Sequence, residues 1–275
     1  MKGKIALLDY FDGKEAAALL IDGELHDFFA EPGANAPGSI FKVKVKHQIK
    51  GSGGIFVESP DGDFFLHKTQ GITSGDVILV QVSSYGDREK LPRVTTKLLF
   101  KSRYVIVTPF NEGLNIAKNI QDNERRIQLK QLVVEGLDHI PYGMIMRSSC
   151  ASANKSEIIS DCKNTIKTAQ NVLSAEDKQM GLIHRAPSPH QLAWREWIDM
   201  PALDKTSGTF AEHGVLELID ELKHSKVILN NGNYYIEPTK AFVAIDVNTA
   251  GDISFAAGLK ANLAMATDLP RQLRL

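Results

Sequence analysis

Residues 41–46, Phe-Lys-Val-Lys-Val-Lys, alternate apolar and basic positions without a break. Side chains on a strand have a period of two, so Val43 and Val45 share one face and the lysines the other. Short apolar runs follow at Ile55–Val57, Phe64–Leu66 and Val77–Val82, separated by the turn signals Gly51–Gly54, Pro60–Gly62 and Ser74–Asp76. Strands at this spacing predict a small all-β barrel over residues 38 to about 100. Upstream, Lys4–Leu8 and Glu15–Ile21 read as strands joined at Asp12-Gly13, with a further hairpin signal at Asp22-Gly23. Downstream, Tyr104–Val107 is a strand closed by Pro109. Leu129, Leu132, Val133 and Leu137 recur at helical spacing and predict a helix over 124–137. Met144–Met146 is a strand, and Ile158, Cys162, Ile166, Ala169 and Leu173 share one face of a helix over 155–173. Residues 185–207, with Pro187, Pro189 and Pro201, read as a loop. A helix over about 212–223 buries Val215, Leu218, Ile219 and Leu222. Tyr234–Ile236 and Ala241–Val247 then form a hairpin after the turn at Asn230–Gly232.

The chain has 275 residues, 43% hydrophobic and 24% charged, enough for two or more cores. A net charge of −1 excludes a global polycation, so any nucleic-acid surface must be a local patch. Two patches stand out. Lys42, Lys44, Lys46 and Lys50 fall within nine residues with no acid between them, and Arg88 to Arg103 contains six basic residues and one acid. The two cysteines, Cys150 and Cys162, form no CxxC pair and no zinc motif, which fits a reducing cytoplasm. No run approaches 18 apolar residues and no signal peptide starts at Met1, so a cytoplasmic protein with no membrane partner is expected. His184, His190, Trp194 and Trp197 read as packing or surface residues, with metal binding by the histidines as the alternative.

Three constellations carry candidate chemistry. In Phe242-Val-Ala-Ile-Asp246-Val-Asn248-Thr-Ala-Gly251, strand periodicity puts Asp246 and Asn248 on one face just before a glycine turn. A carboxylate beside a carboxamide offers oxygen ligands to a hard cation such as Mg²⁺; the alternative is a turn or helix cap. Arg147-Ser148 follows the strand Met144–Met146. An arginine fork beside a hydroxyl suits a terminal phosphate; the alternative is a solvated arginine at a strand end. Phe56 and Phe65 either fill the barrel or present rings to bases. Phe64 reads as core.

The strand with Asp246-Val-Asn248-Thr, followed by Leu259-Lys-Ala-Asn262-Leu and Arg271-Gln-Leu-Arg274-Leu275, resembles the catalytic subdomain of the ribonuclease E/G family. The resemblance extends more weakly over almost the whole chain. It implies an α+β multidomain fold. An RNase H-like scaffold would span 1–36 and 181–224, interrupted by an inserted OB-fold RNA-binding β-barrel over 37–101 and an α+β 5′-sensor region over 102–180. A partial DNase I-like catalytic subdomain would occupy 225–275. Asp9 and Asp12 carry no catalytic role on this reading.

The resemblance further implies Mg²⁺-dependent endoribonuclease action on single-stranded RNA with 5′-monophosphate sensing. Asp246 would ligate the metal, and Asn248 would orient Asp246 or a bound water. Ser102, Ile106, Arg147 and Ser148 would form the 5′-phosphate pocket, while Lys42, Lys44, Phe56 and Phe65 would hold RNA on the barrel. The family's second catalytic aspartate follows the Arg-Gln-Leu-Arg-Leu helix, and this sequence stops at Leu275, so it is expected to be nearly inactive by itself. Two departures matter. Ala250-Gly-Asp252-Ile253 is acidic where relatives are often basic, and Pro270 predicts a kink or a helix start near 268–270. A non-catalytic RNA-binding protein and a scaffold that uses the barrel for protein contacts remain as alternatives. A homo-oligomer is left open.

Overall fold

Two Asp-Gly pairs fold the first three strands onto one another. Asp12 (φ 51°) and Gly13 (φ 74°) join β1 (Lys4–Phe11) to β2 (Lys14–Ile21), and Asp22 (φ 53°) and Gly23 (φ 89°) join β2 to β3 (Glu24–Ala30). Paired positive φ angles give the tight turn whose twist matches that of its strands. The computed structural model describes residues 3–48, 53–67, 70–86, 90–174, 179–198, 203–204 and 208–275. The chain divides into two units, residues 1–31 with 199–275, and residues 32–198.

The second of these begins with the barrel. β4 (Ile40–Gln48), β5 (Gly54–Ser59), β6 (Gly62–His67), β7 (Val77–Ser84) and β8 (Arg93–Thr95) pair in the order β4-β5-β6-β8-β7, and β7 pairs back to β4. This closed five-stranded ring is consistent with an OB-fold. The alternation fills it as expected: Phe41, Val43, Val45, Ile55, Val57, Phe64 and Leu66 lie in one core with Val80, Val82 and Val94.

Next come β9 (Phe100–Lys101), β10 (Val105–Thr108), β11 (Leu114–Ile116), α1 (Asn123–Gly136), β12 (Gly143–Met146) and α2 (Lys155–Leu173). The strands form a sheet in the order β11-β12-β10-β9. Asp122 starts α1 by accepting from the Glu124 and Arg125 N–H groups, one of the preferred N-cap arrangements. Leu129 and Val133 of α1, and Ile158, Cys162 and Ala169 of α2, share one core with Val105, Val107, Met144 and Met146. Cys150 and Cys162 are part of it, and burial pushes both thiols up to about 12.

β13 (Gly181–His184) pairs antiparallel with β4. Then α3 (Pro189–Glu196) forms inside the stretch read from sequence as a loop. Its start explains the correction. Ser188 accepts from the Gln191 N–H, Gln191 accepts in return from the Ser188 N–H, and Pro189 occupies the first turn. That capping box, with proline where its missing N–H costs nothing, nucleates a helix rather than a loop. Residues 181–198, placed by the sequence in the second scaffold segment, group here with the barrel and the β9–β12 sheet.

The other unit is completed by the return of the chain. β14 (Leu203–Asp204) runs parallel to β1, giving the order β14-β1-β2-β3. α4 (Thr209–Glu212) and α5 (Val215–Glu221) replace the single helix expected over 212–223, broken by Gly214 at φ 71°. Phe210 and Val215 pack with Leu7, Leu20 and Leu25. β15 (Lys226–Leu229), β16 (Gly232–Pro238) and β17 (Val243–Thr249) form an antiparallel sheet, against which α6 (Phe255–Gln272) packs. Pro270 lies inside α6, which starts at Ser254 and not at 268–270. In the last turn the proline forfeits a single backbone bond, and the Leu273 N–H still reaches the Leu269 carbonyl. Among the described residues no helix is long and apolar enough to cross a membrane.

Candidate nucleic-acid interface

Arg147 leaves β12 and caps a 3-10 turn over Ser148–Ala151. Its N–H donates to the Tyr104 carbonyl at 2.8 Å. Its Nη1 donates to the Ser102 carbonyl at 2.5 Å and its Nη2 to Glu196 Oε2 at 2.7 Å. The second Glu196 oxygen accepts from Arg195 Nε at 2.6 Å. Burial raises the pKa of the Glu196 carboxyl, but the Arg147 hydrogen bond and the Arg195 charge outweigh it and hold the group below the usual range.

The other expected pocket residues fall nearby in different ways. The Ser102 hydroxyl donates to Asp161 Oδ2 at 2.5 Å, and the same oxygen accepts from the Tyr104 N–H at 2.8 Å. Asp161 thus fixes the turn between β9 and β10. Ser148 is half-buried directly after Arg147. Arg147 therefore reaches the Ser102 carbonyl at one end of the sheet, and Ser148 follows it in the chain, while the Ser102 hydroxyl turns to Asp161. Ile106 stands apart: Val105 and Val107 point into the core, so Ile106 faces the opposite side, across from Ile145. The turn after Arg147 is held by Arg125, whose Nη2 donates to the Cys150 and Ala153 carbonyls at 2.6 and 3.0 Å. α3 is held to the end of the β9–β12 sheet by Arg103, whose guanidinium lies 5.2 Å from the Trp194 ring centroid and donates to the Ile198 carbonyl at 2.9 Å. Trp197 is buried and Trp194 exposed.

A groove of about 530 Å³ opens alongside, lined by Lys97, Lys101, Ser102, Asp161, His184 and Arg195 among others. Burial holds the His184 imidazole below its ordinary pKa, which favours its neutral form.

On the barrel, Phe56 and Phe65 are cross-strand neighbours on the outer face. Their rings pack edge to face at 6.2 Å, and His67 lies 5.3 Å from Phe65. Gly54 makes room for this: a Cβ there would stand 2.3 Å from the Phe65 ring. Phe64 points the other way and is buried. Lys42 is half-buried and Lys44 exposed on the outer face. Lys46 is ion-paired with Glu58 at 2.8 Å and lies 3.6 Å from Asp63, so its charge is largely compensated. Lys50 and Arg88 lie outside the described residues.

In β17, Asp246 and Asn248 are exposed on the same face, and Asn248 Nδ2 donates to Asp246 Oδ2 at 2.8 Å. Nearby acids are engaged elsewhere. Asp252 accepts from the Ser254 N–H, and Asp268 accepts from the Tyr234 hydroxyl and Arg271 Nε, each at 2.7 Å. Among the described residues no group of three His, Cys, Asp or Glu could hold a metal. A lone carboxylate with an oriented amide fits a cation that takes one or two carboxylates and keeps several waters.

Three acids escaped sequence reasoning: Glu196, Asp161 and the structural Asp9. Asp9 is 4% exposed and accepts from the backbone N–H groups of Tyr10, Gly208 and Phe210. Burial raises its pKa, yet these hydrogen bonds leave it below the ordinary value. The readable signal for Glu196 was the Ser188-Pro189-x-Gln191 capping box, which would have put Arg195 and Glu196 on an ordered helix.

One unit thus combines a closed barrel carrying outward rings and lysines with a sheet whose end gathers arginines. The model of the Ribonuclease E/G family matches residues 100–202 and 198–275, and the chain belongs to that family. It is 22% identical to Ribonuclease E of Nostoc sp. over 95% of this chain and 46% of that protein. Ribonuclease G of Haemophilus influenzae is 27% identical over 72% of this chain and 49% of its own length. Ribonuclease G of Escherichia coli is 22% identical over 86% and 61%. The chain spans about half the length of the curated relatives it matches.

Proposed function

We propose that this chain carries the RNA-binding and 5′-end-reading part of a Mg²⁺-dependent endoribonuclease acting on single-stranded RNA. The observation that carries the reading is the contact of Arg147 with the Ser102 carbonyl, with Ser148 next in the chain, beside a groove lined by Lys97, Lys101 and Arg195. A guanidinium fork matches a terminal phosphate, and the flanking cations match the strand that follows it. Phe56 and Phe65 would stack bases, with Lys42 and Lys44 contacting phosphates. β1–β3 would belong to an RNase H-like scaffold, and β15–β17 with α6 to a DNase I-like catalytic subdomain. Asp246 would hold Mg²⁺, with Asn248 fixing the carboxylate through the 2.8 Å bond. The ion, when bound, would polarise the scissile phosphate and acidify a water.

Affinities of 5′-monophosphorylated and 5′-hydroxyl single strands of one sequence test the reading. The monophosphate should bind tighter, and Arg147→Ala should remove that preference, a change of about ten- to a hundredfold. Equal affinity of the unaltered chain for both ends would overturn 5′ sensing. The acidic Asp252 after β17, where relatives are often basic, favours a second reading, a non-catalytic RNA-binding protein. It predicts the same binding with no Mg²⁺-dependent cleavage.

A further inference from the structure

Glu196 pairs with Arg147 through one oxygen and with Arg195 through the other: Oε2 accepts from Arg147 Nη2 and Oε1 from Arg195 Nε. Two guanidinium groups thus converge on a single carboxylate. The helix dipole does not favour an anion there, because Glu196 is the last residue of α3 and helix C-termini carry partial negative charge. The two arginines hold it. Their side chains are 17% and 18% exposed, whereas that of Glu196 is 34% exposed, so the carboxylate can turn out to solvent more readily than either arginine. Arg195 also lines the cationic groove that contains Ser102.

We propose that Arg147 and Arg195 together form a two-arginine clamp for a terminal phosphate, and that Glu196 occupies this clamp in the free chain as an internal competitor. This rests on the 5′-end reading above. A terminal phosphomonoester carries a charge of about −1.5 to −2 and three acceptor oxygens, so it can displace a carboxylate that offers one charge and two. A phosphodiester or a 5′-hydroxyl cannot match it on either count. Glu196 therefore sharpens selection of the 5′-monophosphate by raising the threshold that any anion must pass.

The test is the affinity of the intact 275-residue chain for 5′-monophosphorylated and 5′-hydroxyl single strands of one sequence, with Glu196→Gln, Arg195→Gln and Arg147→Ala compared at fixed salt. Glu196→Gln should bind the monophosphate about tenfold tighter and the 5′-hydroxyl strand unchanged. Arg195→Gln should weaken monophosphate binding about tenfold, again sparing the 5′-hydroxyl strand. Should Glu196→Gln lose cooperative melting, Arg195→Gln decides the clamp by itself, and Glu196→Asp, too short to span both arginines, decides the competition with a smaller gain. Weaker or unchanged monophosphate binding in Glu196→Gln, while Arg147→Ala still abolishes the preference, overturns the competitor and leaves 5′ sensing intact. No effect of Arg147→Ala on either strand overturns both.

Discussion

Arg147 and Asp246 both stand near strand ends, in surroundings of opposite kind. Arg147 rises from a sheet that shares one core with two helices, with Arg125 and Asp161 fixing the turns beside it. Asp246 lies on a three-stranded sheet whose fully buried apolar residues are Tyr234 and, from α6, Ala261. Ile228, Phe242, Ile253, Phe255, Leu259 and Leu263 of this region are exposed. Arg147 is thus positioned by tertiary packing, while Asp246 is positioned by its own strand and one amide.

The largest test of that contrast compares adjacent rings. Phe64→Ala should empty a buried site in the barrel and cost about 3–5 kcal/mol, read as a fall in thermal midpoint with loss of RNA binding. Phe65→Ala, one residue on and facing outward, should melt nearly as the unaltered chain. Its loss should appear as about 1–3 kcal/mol of single-strand affinity. Equal destabilisation by both would show that the outer rings are core and not platform.

Asp9 probes the other unit. Asp9→Asn replaces a buried acceptor of several backbone N–H groups with an amide that turns donors toward donors, at a cost of about 3 kcal/mol. The folded pKa is depressed, so the stability it contributes is complete above the unfolded value of about 3.9. That stability disappears as pH falls through the lower folded value. Melting measured from pH 6 down to pH 2 should converge for the two proteins at the acid end. A constant gap across that range would mean that the carboxylate's charge is not what holds residues 208–210 to β1.

Much of this was legible along the chain because local rules and tertiary structure agree. The Phe41–Lys46 alternation gave the barrel strand and its faces, and two Asp-Gly pairs gave the first hairpins. The helix faces of Leu129 and Ile158 gave the core under the β9–β12 sheet. Other features escaped for identifiable reasons. Three prolines masked the capping box that starts α3, and with it the helix carrying Arg195 and Glu196. The Arg147–Glu196 pair spans 49 residues and the Asp9 bonds about 200, separations at which no periodicity points from one residue to the other. Asp246 was visible as a candidate because its chemistry is written in a single strand. That the sequence stops before the family's second aspartate was legible too; the hydrogen bonds that engage Asp252 and Asp268 were not.

The smallest effect on stability belongs to Asp246→Asn, and its smallness is informative. The carboxylate is exposed, and the hydrogen bond from Asn248 is one that a carboxamide oxygen can still accept. Surface changes of this kind stay within about 0.5 kcal/mol, so the melting midpoint and single-strand RNA affinity should be nearly unchanged. A metal ligand responds differently: removing its charge weakens Mg²⁺ attraction directly, so Mg²⁺-dependent cleavage by a catalytically active form should be lost. A fall of several degrees in the melting midpoint would instead identify Asp246 as a structural cap of the β17 turn. With stability intact and cleavage unaffected, the search for the metal ligand would move away from this strand altogether.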